Sequence, residues 1–310
     1  MKKKGTHSKK PAPLHARGRS LAGWICICAI AVAGLVFFAG YVLHQRGGKE
    51  TAEAPRAREN DQSVWRETIP GPERHERTGR PGVGRKEAGA ANRVAFVIDD
   101  MGYDVSILYE ILALDIPVTI SILPFLPHSA TVADEAHRAG REVLLHLPME
   151  PHDYPERCPG DGALLLRMNG DEIVDQLEKD ILSVPHISGV NNHMGSGFME
   201  DEEKVTVTLR ELKRRGLFFL DSLTTRNSKG LQVAARIGLP RAGRDIFLDN
   251  DCDFEEALDI LNRIVDRKTT WSTMIIIGHP YESTVRAIGE AMPLLREHRI
   301  RIVPLSDLIE

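Results

Sequence analysis

Five short apolar runs, each ended by a residue able to bind a metal or move a proton, constrain this chain more than any other feature. Val94-Ala95-Phe96-Val97-Ile98 leads into Asp99-Asp100, and Val143-Leu144-Leu145 into His146. Ser188-Gly189-Val190 leads into Asn191-Asn192-His193, Leu217-Phe218-Phe219-Leu220 into Asp221, and Met274-Ile275-Ile276-Ile277-Gly278 into His279. Nearly continuous β-branched and aromatic runs separated by helix-like segments are the pattern of strands buried on both faces, as in a parallel sheet built from βαβ units. In such sheets and barrels the carboxyl ends of the strands share one rim, so residues distant in sequence meet there. Three aspartates and three histidines on one rim predict a metal or acid/base site.

Helical periodicity fills the gaps. Residues 129–139 end before Gly140, and residues 171–182 place Ile173, Leu177 and Ile181 four apart behind acidic residues suited to a helix start. Residues 201–215 end on Lys213, Arg214 and Arg215 ahead of Gly216, a favourable carboxyl-terminal composition. Residues 255–266 and 284–298 complete the helices, and further strands are expected at 118–123, 245–248 and 301–303. Seven or eight mainly parallel strands alternating with helices predict a distorted (β/α) barrel, a fold of typically about 250 residues. A doubly wound open sheet is the alternative.

The composition changes upstream of this region. Residues 1–20 carry Lys2, Lys3, Lys4, Lys9, Lys10, Arg17 and Arg19, whereas residues 21–43 contain no charge. Such a run can span a bilayer, which takes roughly 20 apolar residues, and its basic flank is expected to stay cytoplasmic. The expectation is a basic cytoplasmic tail (1–20), a single transmembrane helix (21–43) in the cytoplasmic membrane, and the rest on the periplasmic or extracellular side. A cleaved signal peptide, with an apolar core of about 7–15 residues and a site near Ala39-Gly40, is the competing reading. Residues 44–91 are rich in Arg, Glu, Gly, Pro and Gln, with too few aliphatic side chains to offset ordering entropy, and are expected to be a disordered tether. Residues 92–310 then form one folded domain.

The chain is 42% hydrophobic and 27% charged with a net charge of −4, and its only dense basic cluster is the amino-terminal tail. That allows one substantial core and argues against nucleic acid as a partner. Cys26 and Cys28 fall in the apolar run, leaving Cys158 and Cys252, with no disulfide framework and no CxxC spacing of a structural zinc site.

Asp99-Asp100 is the strongest local signal. Two adjacent carboxylates after a buried strand repel one another and lose hydration, a cost that a divalent cation beside them relieves. Neighbouring side chains of an extended chain point to opposite faces, so one is expected to ligate while the other addresses a water. A helix-capping aspartate is the plainer alternative. His146, with Glu150 four residues on, and His193, among Asn191, Asn192, Gly195 and Ser196, are candidate metal ligands, against the alternative of satisfied core histidines. His279, held between Gly278 and Pro280, is a candidate general acid or base. Asp221 either hydrogen-bonds a catalytic group or caps a turn. His128, His137, His152, His186 and His298 read better as structural, and Arg241 and Arg244 are candidate anion contacts or exposed structural arginines.

Taken in order, Val97-Ile98-Asp99-Asp100-Met101-Gly102, His146-Leu147-Pro148-Met149-Glu150, Asn191-Asn192-His193-Met194-Gly195-Ser196, Phe219-Leu220-Asp221-Ser222 and Ile277-Gly278-His279-Pro280 resemble the motifs of a known family. It is the divergent polysaccharide deacetylases, a branch of the NodB-homology carbohydrate esterases, and the resemblance covers residues 93–309. It implies a distorted (β/α) barrel and a divalent metal, often zinc, that activates water against an acetamide. It makes Asp99 the general base, Asp100 a metal ligand and His279 the general acid, with Asp221 where the family supplies an aspartate to tune that histidine. The second motif usually holds two histidines four apart and here has His146 and Glu150, so the resemblance points to His193 as the third ligand. The third-motif arginine and the tryptophan of the fourth motif are absent. The expected function is a membrane-anchored, metal-dependent hydrolase removing acyl groups from a polysaccharide. A carbohydrate-binding module that kept the fold without turnover is the alternative, and a phosphoesterase with two metals about 3.5–4 Å apart is a third.

Overall fold

The computed structural model describes residues 91–310 apart from 250, 251 and 269. The expected tail (1–20), transmembrane helix (21–43) and all but the last residue of the tether (44–91) lie outside the described residues. Among the described residues no helix is long and apolar enough to cross a membrane.

The chain alternates strand and helix: β1 (Arg93–Met101), α1 (Ser106–Ala113), β2 (Thr119–Ile122), α2 (Ser129–Arg138), β3 (Val143–Met149), α3 (Gly170–Ser183), β4 (Ile187–Met194) and α4 (Glu202–Arg214). It continues with β5 (Phe218–Asp221), α5 (Gly230–Ile237), β6 (Arg241–Gly243), β7 (Ile246–Phe247), α6 (Phe254–Asp266), β8 (Thr273–Gly278), α7 (Glu282–Glu297) and β9 (Arg301–Ile302). Polar side chains cap the starts of α3, α4 and α6. Asn169 and Glu172 close a capping box on α3, and Asp201 Oδ1 accepts from the amides of Glu203 and Lys204 at the start of α4.

Among the described residues every strand pair is parallel, in the order β6-β5-β4-β3-β2-β1-β8-β7, with β9 beside β1. The two ends of this path, β6 and β7, are separated only by Arg244 and Asp245 and do not pair, so the sheet curls into a half-open barrel. Glu310 covers the free edge of β6 by exchanging two backbone hydrogen bonds with Arg241 (2.9 and 3.0 Å). The parallel barrel matches the sequence reading, but its strands number nine among the described residues rather than seven or eight. The strand beyond expectation, β6, is three residues long and includes an arginine and a glycine, too short and too polar to show an apolar run. Helices α1 and α5 were likewise not expected; each has eight residues, about two turns, over which a 3.6-residue period barely repeats.

The sheet has two apolar faces. Val94, Phe96 and Ile98 pack outward against the helices, whereas Ala95 and Val97 join Leu144, Phe218, Leu220, Ile275, Ile277, Val303, Leu305 and Leu308 in a smaller cluster inside the curl. Side chains alternate along a strand, so each inner series continues to a polar residue at the carboxyl end. On β1 it reaches Asp99, on β3 His146, on β4 Asn191 and His193, and just past β8 His279. The inner face of the sheet therefore delivers the site.

Candidate metal centre

Asp100 reaches the centre through an irregularity in β1. The strand pairs with β2 at Ile98↔Ile120 and next at Met101↔Ile122, so β1 carries one residue more than β2 between those points. Asp100 sits in this bulge with φ 56°. A left-handed non-glycine residue costs roughly 1–2 kcal/mol, and the gain is direction: bulges beside active sites re-aim a side chain. Asp99 Oδ2 and Asp100 Oδ1 lie 3.6 and 3.2 Å from the same His146 Nε2. The expectation that the two carboxylates face opposite ways is thereby corrected.

Asp100, His146 and His193 come together. Asp100 Oδ1 is 2.9 Å from His193 Nδ1 and 3.2 Å from His146 Nε2, and the two ring nitrogens are 3.1 Å apart. Among the described residues this is the one group of three His, Cys, Asp or Glu side chains whose ligand atoms converge closely enough to hold a metal ion. Asp100 Oδ1 is buried and has no hydrogen-bond partner, although two imidazole nitrogens stand beside it. A tetrahedral ion with ligands at 2.0–2.2 Å separates its ligand atoms by about 3.3–3.6 Å, so this triangle is only slightly tighter than such an ion needs. Two imidazoles and a carboxylate also suit zinc and its first-row neighbours. The residues present fit a divalent cation.

The electrostatics agree. Burial pushes the Asp100 carboxyl up, but the neighbouring His193 and His146 imidazoles outweigh it and hold the group well below the usual carboxylate range. Burial pushes the His146 imidazole down, and Asp99 and Asp100 more than reverse that. A pocket that ionises its carboxyl and raises its imidazole is one that attracts positive charge.

Asp99 is buried against this triangle, and Asn191 Nδ2 donates to both of its oxygens (2.9 and 3.1 Å). His279 approaches from β8. Its Nδ1 lies 2.9 Å from Asp249 Oδ1, while Asp249 Oδ2 accepts from the His279 backbone amide (2.6 Å) and from Thr284 Oγ1 (2.7 Å). The rings of Phe247 and Tyr281 flank the imidazole with centroids 6.0 and 5.9 Å away, and Nε2 is left 3.9 Å from Asp100 Oδ2. Burial lowers this imidazole, but Asp249, assisted by Asp100 and Asp99, holds it up at about 9.

Asp221 is not brought to this group. Phe218 and Leu220 occupy the inner face of β5, so Asp221 points outward, where its Oδ2 accepts from Ser228 Oγ (2.7 Å) and its Oδ1 from the Leu223 amide (2.9 Å). It fits so closely against Gly230 that a Cβ there would lie 2.3 Å from Oδ2, and burial pushes its carboxyl up. The carboxylate expected from Asp221 is supplied to His279 by Asp249, which sequence reasoning missed. A signal existed: Asp249 follows the predicted strand at 245–248 just as the other site residues follow theirs. Asn191 was likewise passed over as a neighbour of His193.

Glu150, the departure from the expected second histidine, accepts from the Leu166 amide through Oε2 (2.7 Å) and so pins the loop after β3. Arg244 stacks 3.8 Å over the Phe247 ring and donates to the carbonyls of Ser222 (2.8 Å) and Leu223 (3.2 Å), a structural use; burial pulls it down to about 10. Cys158 and Cys252 are free, exposed thiols.

An open parallel barrel with a convergent carboxylate and imidazole cluster at its carboxyl rim is the frame of a NodB-type deacetylase fold. The family described as divergent polysaccharide deacetylase matches residues 96–309, and the chain belongs to that family. It is 33% identical to the uncharacterized protein YibQ of Escherichia coli over 219 residues, which cover 71% of this chain and 68% of that one. An uncharacterized protein of Haemophilus influenzae is 30% identical over 219 residues, 71% of this chain and 77% of its own. Among solved structures, an uncharacterized protein of Agrobacterium tumefaciens superposes with a TM-score of 0.65 at 26% identity, over 72% of this chain and 91% of that one.

Proposed function

We propose that this protein is a metal-dependent hydrolase that removes acyl groups from a polysaccharide outside the cytoplasmic membrane. One observation carries the reading: Asp100 Oδ1, His146 Nε2 and His193 Nδ1 converge within 3.2 Å of one another beside a buried second carboxylate. These three residues would hold a divalent cation, with zinc the first candidate. Such an ion, when bound, lowers the pKa of a contacting water to about 7 and polarises the acyl carbonyl.

The chain's own groups supply the proton transfers. Asp99 takes a proton from the attacking water as its oxygen bonds to the acyl carbon. As the bond from that carbon to the sugar nitrogen or oxygen breaks, His279 gives its Nε2 proton to the leaving atom, yielding an amine or hydroxyl on the glycan and a carboxylic acid that loses its own proton to solvent as it leaves. Asp249 keeps the imidazole turned toward the reaction. Solvent then removes the proton from Asp99 and restores one to His279.

The charge-free run at 21–43 behind seven lysines and arginines supports attachment to the membrane with the domain outside. Glu150, committed to a backbone amide, favours one second reading, a carbohydrate-binding module without turnover. The test is elemental analysis of the purified full chain, followed by assay of acetate release from acetylated cell-envelope glycans by the native protein and by Asp99→Asn. Stoichiometric metal with release that Asp99→Asn lowers by about 10²-fold or more supports the hydrolase. Metal and glycan binding without release supports the binding module, and neither metal nor release overturns both the metal and the reaction.

A further inference from the structure

Asn191 lies on the inner face of β4, one strand period before His193, with no exposed surface. Both ends of its amide are engaged. Nδ2 donates to Asp99 Oδ1 (2.9 Å) and Oδ2 (3.1 Å) and lies 3.2 Å from Ser222 Oγ. Oδ1 accepts from Ser121 Oγ (2.6 Å) and lies 3.0 Å from His146 Nδ1.

The partners decide which end of the amide is which. A carboxylate offers only acceptors, so the end facing Asp99 has to be the NH₂ group. The end facing His146 is then the carbonyl oxygen, which cannot donate, so His146 Nδ1 has to carry the ring proton. The opposite tautomer sets two acceptors against each other in a fully buried site and leaves both unsatisfied. A neutral imidazole with its proton on Nδ1 has its lone pair on Nε2, the atom aimed at Asp100 Oδ1 and His193 Nδ1.

We propose that Asn191 is the positioning residue of this centre: its amide carries the polarity of Asp99 across to His146, so that one side chain both orients the base and fixes which imidazole nitrogen faces the cation. The second half of that role rests on the metal reading above, whereas the tautomer itself does not. The donor and acceptor order Asp99, Asn191, His146 runs through β1, β4 and β3, and only the folded sheet assembles it. Ser121 of β2 supplies the second proton to the Asn191 oxygen, so four neighbouring strands hold one amide in place.

The experiment uses the full chain labelled with 15N-histidine. Two-bond nitrogen–proton correlation spectra of His146 in its neutral form, with and without zinc, are expected to show the proton on Nδ1. Zinc affinity by calorimetry is expected to fall 10–100-fold in Asn191→Leu, the usual cost of losing a group that orients a ligand. It should stay within a few-fold of the native value in Asn191→Asp, which keeps an acceptor for Nδ1–H. A native neutral His146 protonated on Nε2 overturns the proposal. So does a folded Asn191→Leu with unchanged tautomer and zinc affinity, or an Asn191→Asp that loses as much affinity as Asn191→Leu. If Asn191→Leu does not fold, the native tautomer and Asn191→Asp decide. A native chain that binds no zinc yet carries its His146 proton on Nδ1 removes the metal reading and upholds the hydrogen-bond order.

Discussion

Asp249 holds His279 twice, accepting from its ring at 2.9 Å and from its backbone amide at 2.6 Å. A carboxylate that grips both the imidazole and the main chain of one residue fixes the ring's rotation as well as its tautomer, leaving Nε2 to the cluster. Replacing Asp249 with Asn is therefore expected to lower acetate release by about 10²-fold, the lower end of what a general acid contributes. An acid must be protonated to act, so activity is lost as pH rises through the His279 value, about 9 in the metal-free site and lower with a cation beside Asp100. In Asp249→Asn this falling limb moves to lower pH, and rate profiles from pH 6 to 10 measure it. A limb that stays in place removes Asp249 from the role.

Zinc addition is expected to raise the thermal stability of the native chain, by about 2.7 kcal/mol at a free concentration of 100 times Kd. His193→Ala should lose that response, because it removes one corner of the triangle formed with Asp100 and His146. The response should also weaken as pH falls, since both imidazoles must be free of protons on the nitrogens facing the ion. Melting curves with and without zinc at pH 6 and 8 report both effects.

Asp180 is a buried carboxyl far from expectation. It is fully buried on α3, with Oδ1 accepting from Gln176 Nε2 at 2.9 Å and Oδ2 lacking any partner, and burial pushes it up to about 7. Its folded value exceeds the unfolded one of about 3.9, so between the two the folded chain binds the extra proton. The contribution is full below about pH 4 and is lost as pH rises to 7 and beyond, with about 4 kcal/mol as its upper limit at 1.36 kcal/mol per unit. Urea unfolding at pH 5 and pH 8 should show the native chain weaker at pH 8, and Asp180→Asn should shrink the difference.

Gly189 is packed under an aromatic ring. It pairs with Phe218 across β4 and β5, and a Cβ at Gly189 would lie 2.3 Å from the Phe218 ring, inside the curl of the sheet. Gly189→Ala is expected to cost about 1–3 kcal/mol by overpacking. Combining it with Phe218→Leu should recover part of that loss in a denaturant-unfolding cycle, whereas strictly additive costs would show that the two do not share the space.

Much of the site was legible because each buried strand announces its end. The runs before Asp99, His146, His193 and His279 are long enough to be read as strands, and a parallel sheet sends all four ends to one rim. Asp249 obeyed the same rule behind the strand expected at 245–248, whose apolar run is only Ile246-Phe247-Leu248, and was not among the candidates. Asp221 obeyed it too and still turned away, since its neighbours Phe218 and Leu220 take the inner positions of β5.

The amino-acid order by itself determined where the apolar strands lie, that they run parallel, and which polar residues stand at their carboxyl ends; only the short, polar β6 escaped it. It did not determine which of those residues face inward. In a strand buried on both faces the odd and even positions are equally apolar, so the run conceals its own parity. Tertiary structure decided that parity through the register of neighbouring strands and the packing of helices outside. It also added the extra residue in β1 that turns Asp100 toward His146 and His193. A bulge is set by how two strands align, a relation between distant segments that no local pattern contains.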